Sequence, residues 1–156
     1  MTTQLTLKEV LERAIQKEVG SQRLYTNLSQ KVRNKAAKEI LQELVRQEHG
    51  HQNLLEQYLR GELRAGVLST GQIIDYKIAE RLDQPEISPD MKLDDIFLLA
   101  ANLEKLSHEL YLGLAGIHPT GEVKRLLEEL AAQELEHKQR VEFLYMEVAF
   151  PQTDGG

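Results

Sequence analysis

The 156-residue chain has no cysteine and no tryptophan, and only 5% of its residues are aromatic. The lack of cysteine removes disulfides, iron–sulfur sites, zinc ribbons and thiol nucleophiles together. Proline is absent until Pro85 and occurs only 4 times, so long stretches carry no helix breaker. No apolar run is long enough to span a bilayer, and no membrane association is expected. Basic residues number 19 against 25 acidic ones, a net charge of −6. That leaves no basic footprint for nucleic acid. Met1-Thr2-Thr3-Gln4 lacks the charged and apolar regions of a signal peptide, and a cytoplasmic location is expected.

What the chain does contain is helix formers, chiefly Glu, Leu, Lys, Gln and Ala. Its 41% hydrophobic and 28% charged residues are ordinary for a globular domain. One domain over residues 1–150 is expected, with 151–156 as a loose tail. Thr6-Leu7-Lys8-Glu9 has the form of a capping box and opens a helix over about 6–32. Its stripe runs Leu7, Val10, Leu11, Ala14, Glu18, Tyr25 and Leu28. Asn34 is the N-cap of a second helix, over about 35–60, which Gly61 closes. That stripe is Ala37, Leu41, Leu44, Glu48, His51, Leu55 and Tyr58.

Residues 61–90 read as a long connector with a short helix over Ile73–Leu82 and no catalytic signal. Pro85 and Pro89 set up a third long helix, about 91–117, striped by Ile96, Phe97, Ala100, Glu104, Tyr111 and Leu114. Thr120 is the expected N-cap of a fourth, about 121–149, striped by Val123, Leu127, Leu130, Glu134, His137, Val141 and Leu144. Four long helices, two short turns and one long crossover predict an all-α antiparallel four-helix bundle, the crossover joining the second and third long helices.

The halves repeat. Glu18 and Glu104 lie 86 positions apart, as do Glu48-x-x-His51 and Glu134-x-x-His137. The same shift carries Leu7 to Leu93, Ala14 to Ala100, Ser21 to Ser107, Tyr25 to Tyr111, Leu44 to Leu130 and Gln47 to Gln133 without a gap. Glu18 and Glu48 are equally far from a turn at Arg33, and Glu104 and Glu134 are equally far from one at Pro119. Each pair therefore sits at equal height, roughly 22 Å along the helix from its turn. If the two hairpins pack antiparallel, both pairs reach mid-bundle.

Each of these Glu residues replaces an expected Leu in an apolar stripe, and each Glu-x-x-His shares one helix face. The stripes contain no Lys or Arg to neutralise the acids. Buried carboxylates left alone cost several kcal/mol each or protonate. Two divalent cations would balance four carboxylates, and mixed O and N ligation suits iron, manganese or zinc.

Ala14…Glu18…Tyr25 with Leu44…Glu48-x-x-His51, and Ala100…Glu104…Tyr111 with Leu130…Glu134-x-x-His137, resemble the ferritin-like superfamily and its rubrerythrin-like branch. The resemblance covers both hairpins. It implies a ferritin-like fold and a di-iron centre. Glu18 and Glu104 would be terminal carboxylates, Glu48 and Glu134 bridging ones, and His51 and His137 would each bind one iron. Tyr25 and Tyr111 would hydrogen-bond to the ligands, although core packing with satisfied hydroxyls also explains them.

Two departures stand out. Rubrerythrins carry a four-Cys rubredoxin domain, and this chain has no Cys, so a separate rubredoxin-like protein or small reductant would supply electrons. Rubrerythrins also have a further carboxylate where this chain has Ser107. The family's Glu–His ligand exchange is therefore not expected, and the site is closer to the six-ligand set of bacterioferritins. His108, one turn after Glu104, is read either as an additional ligand or as a hydrogen-bonded core histidine. His49 points about 100° away from Glu48 and is read as solvated or interfacial, so no haem is expected. Gly50 implies close packing against a neighbour or a second subunit, and His118 an exposed turn. The resemblance implies a dimer reducing hydrogen peroxide or O2. Alternatives are a ferroxidase or iron store, a di-iron monooxygenase, or a metal-free structural bundle.

Overall fold

The computed structural model describes residues 6–62, 72–118 and 120–150. All regular structure in them is helical: α1 Leu7–Lys31, α2 Lys35–Leu59, α3 Ile78–Arg81, α4 Leu93–Gly116 and α5 Glu122–Ala149. The chain divides into two compact units, Met1–Val67 and Leu68–Gly156.

The first unit is the α1–α2 hairpin. Thr6 accepts from the Glu9 N–H while the Glu9 carboxylate accepts from the Thr6 N–H, a closed capping box at 3.2 and 3.1 Å. Val32 ends α1 in extended backbone, and Asn34 Oδ1 accepts from the Ala37 N–H at 3.1 Å to open α2. Gly61, at φ 76°, occupies the left-handed position after α2 that glycine fills without steric cost. Val10, Leu11, Ala14, Leu28, Ala37, Leu41, Leu44 and Leu55 are buried, following the predicted stripes.

The second unit contains α3, α4 and α5. Its core includes Ile96, Phe97, Ala100, Leu127, Leu130 and Val141. Two sequence expectations need correcting here. Helix α5 begins at Glu122 behind Gly121, so Thr120 is not its N-cap. The short connector helix covers Ile78–Arg81 only, not Ile73–Leu82. Its start is delayed because side chains take up the preceding backbone. Gln139 accepts from the Ile74 N–H at 3.0 Å, Asp75 accepts from the Lys77 N–H at 3.0 Å, and Lys77 adopts φ 55°. The expected turn centre Pro119, the connector residues 63–71 and the tail 151–156 lie outside the described residues.

The connector is anchored to α5. Lys138 is only 1% exposed, and its ammonium donates to Asp75 at 2.6 Å, Glu80 at 3.1 Å and Glu142 at 3.1 Å. The Ala79 N–H donates to Glu142 at 2.8 Å, and the rings of Tyr76 and Phe143 pack with centroids 6.5 Å apart. Burial disfavours the Lys138 charge, but bonds to the three carboxylates outweigh it and raise its pKa.

Candidate metal centre

Helical spacing brings Glu48 and His51 onto one face of α2, and Glu18 meets them from α1. All three are buried. One ligand atom from each lies within 4.8 Å of the others. His51 Nδ1 is 3.6 Å from Glu18 Oε1 and 3.7 Å from Glu48 Oε2. Atoms bound about 2.0–2.2 Å from one ion stand a few ångströms apart, which these distances suit.

The second unit repeats the set. Glu104 on α4 and Glu134 and His137 on α5 are buried, with donor atoms within 4.8 Å of one another. His137 Nδ1 is 3.7 Å from Glu104 Oε2. Each unit thus concentrates two carboxylates and an imidazole in its core. Burial pushes the Glu18 carboxyl from 4.5 up to about 8; the adjacent Glu48 adds to the rise, while His51 and Lys17 offset part of it. The hard and borderline donors, their number and their burial all fit iron, manganese or zinc.

Sequence reasoning missed Lys17. The stripes contain no basic residue, yet Lys17 Nζ reaches 3.5 Å from Glu18 Oε1 and 3.7 Å from Glu48 Oε2, its side chain only 12% exposed. A long stem lets a residue beside the stripe deliver its charge into it. The signal available in sequence was a break in the repeat: the position 86 residues after Lys17 is Leu103.

Tyr25 and Tyr111 are both fully buried, and Ser107 is buried where the larger ligand set would have a carboxylate. His108 is half-buried, its Nδ1 2.7 Å from the Ala131 carbonyl of α5. His49 is exposed. His118 is half-buried rather than exposed, with Nδ1 2.7 Å from the Leu114 carbonyl. Among the described residues, a Cβ added at Gly50 would meet nothing within 4 Å, so none of them packs closely enough there to call for glycine.

The rubrerythrin family model matches residues 9–70, the stretch holding Glu18, Glu48 and His51. The solved structure of a hypothetical protein from Pyrococcus furiosus is 25% identical, with a TM-score of 0.59. The match covers 96% of this chain and 94% of that one. No curated protein matches the chain in sequence. Among the described residues, no helix is long and apolar enough to cross a membrane.

Proposed function

We propose that this chain, a rubrerythrin-like protein of all-α, ferritin-like fold, is a di-iron oxidoreductase that reduces hydrogen peroxide with electrons from an external donor. The observation that carries the reading is the duplicated, buried Glu–Glu–His set. Glu18, Glu48 and His51 from one unit, and Glu104, Glu134 and His137 from the other, would hold the two ions. Bound ferrous iron would supply the two electrons that, with two protons, convert one peroxide to two waters.

The chain's own residues do the rest. Four carboxylates offset four positive charges, so the charged core costs little once filled. Burial keeps bulk water from the donor atoms and strengthens every charge interaction there. His51 and His137 supply neutral nitrogen ligands, which tune the ions differently from an all-oxygen set. Tyr25 and Tyr111 stand two helical turns beyond Glu18 and Glu104, where their hydroxyls orient groups of the ligand shell. These 156 residues contain no cysteine and so no thiolate-bound electron carrier; the reductant we propose is a rubredoxin-like protein or a small molecule. A cytoplasmic homodimer is the form we propose.

Anaerobic iron loading followed by rapid mixing tests the reaction. Fast oxidation by peroxide and slow oxidation by oxygen is expected; the reverse order would favour a ferroxidase or oxygenase. Ser21 and Ser107 at matched positions give the second reading, a ferroxidase with the symmetric six-ligand set. Storage by that route needs a hollow many-subunit cage, which native mass would reveal. Metal analysis checks the ligands: Glu48→Ala with Glu134→Ala should retain less than about a tenth of the wild-type iron. Undiminished iron in that variant would remove the assignment.

A further inference from the structure

We infer that Lys17 raises the reduction potential of iron bound by Glu18 and Glu48, which eases re-reduction of the ferric centre by an external donor. The inference rests on the di-iron reading above and adds a residue to it. Lys17 Nζ stands 3.5 Å from Glu18 Oε1 and 3.7 Å from Glu48 Oε2. His51 Nδ1 faces the same two oxygens, at 3.6 and 3.7 Å. The ammonium is therefore directed at the donor atoms themselves rather than at the rim of the set. An ion about 2.0–2.2 Å from Glu18 Oε1 stands no more than about 6 Å from the Lys17 nitrogen. The Lys17 side chain is only 12% exposed, and those of Glu18 and Glu48 are buried, so little solvent screens the charge.

The sign of the effect follows from charge. Loss of one electron takes a ferrous ion from two positive charges to three. A fixed ammonium nearby repels the ferric ion more strongly than the ferrous one, so it favours the ferrous state. Glu18 and Glu48 act in the opposite sense, since carboxylates favour the higher charge, and Lys17 offsets part of their pull. In the proposed cycle two ferrous ions give one electron each to peroxide, and two electrons from the donor restore them. Lys17 makes that return more favourable. It acts through its fixed charge, with no proton transfer and no contact with peroxide.

An anaerobic redox titration of the iron-loaded full-length protein, with mediators and the ferric absorption as signal, reads the potential without turnover. Lys17→Gln and Lys17→Met should each lower the midpoint. The expected shift is about tenfold or more in the ferric-to-ferrous ratio at fixed potential, or about 59 mV per tenfold for one electron. Lys17→Arg, which keeps the charge, should stay near wild type. Lys8 is the control for net charge: it is 74% exposed and roughly 15 Å along α1 from Glu18, beyond the screening length of about 8 Å. Lys8→Gln should leave the midpoint unchanged. Circular dichroism and iron content accompany each variant, and the polar Gln variant serves where Met disturbs the fold. Midpoints that stay put or rise in the neutral variants would overturn the inference. So would loss of iron from folded neutral variants, because removing a like charge does not by this route weaken a bound cation. Failure of both neutral variants to fold would make Lys17 a structural residue and overturn it too. A folded wild-type protein that binds no iron would instead overturn the di-iron reading, and the inference with it.

Discussion

Burial governs the charge of Glu18. Its carboxyl is pushed up to about 8 in the folded chain, against 4.5 ordinarily. Between those values the folded state holds a proton that the unfolded state has lost. This group's stabilising contribution is therefore full below 4.5 and is lost as pH rises to about 8. Metal-free protein should accordingly melt at lower temperature as pH rises through that window. Thermal melts of wild type and Glu18→Gln check this: the variant should have the flatter profile, and identical slopes would remove Glu18 as the cause. Sequence was enough to find Glu18, because a carboxylate at a leucine position in a helical stripe is conspicuous. It was not enough to find Lys17, because the direction a flexible stem takes depends on neighbours that only packing supplies.

The helices α1 and α2 start where their capping residues predict, since caps act through bonds within one turn. Thr6→Ala, which opens the capping box, should cost about 1 kcal/mol in urea denaturation. The connector follows a different logic. Its short helix is truncated because Asp75, Gln139 and Lys138 hold the backbone before Lys77 in a non-helical path. Lys138 corresponds in the repeat to Gln52, and Glu142 to Glu56. In the first unit Gln52 bridges Gln22 and Glu56 at 2.8 and 3.0 Å. In the second, a lysine at the same position gathers three carboxylates. Lys138→Met should destabilise the protein by about 3 kcal/mol, toward the low end for a broken buried pair because Asp75 and Glu80 are each about one-third exposed. Hydrogen exchange should accelerate first over residues 74–82, while metal stoichiometry stays at the wild-type value. Loss of metal in that variant would tie the connector to the ligand sets.

For the molecule as a whole, the proposed ions act as ligands of the folded state. Free metal at about one hundred times its dissociation constant should add about 2.7 kcal/mol per site, which a chelator would withdraw. Melting temperature should therefore fall on chelation in wild type and barely move in the Glu48→Ala, Glu134→Ala protein. Equal response in both would separate the stabilising ion from the ligand sets. In core packing, truncating Leu41 or Leu127, each at a buried stripe position, should cost about 2–5 kcal/mol whether or not metal is present.

Sequence alone determined the helical content, the capped starts of α1 and α2, and the six candidate ligands. These follow from short-range rules: the 3.6-residue period, local capping bonds, and a repeat that copies residue type and height together. Tertiary structure decided what depends on side chains meeting from distant segments. It placed the Lys17 ammonium against Glu18 and Glu48, turned Lys138 toward the connector, and settled His108 against the Ala131 carbonyl. Equal positions in a repeat share a backbone geometry. They do not share the neighbours that set where a long charged side chain comes to rest.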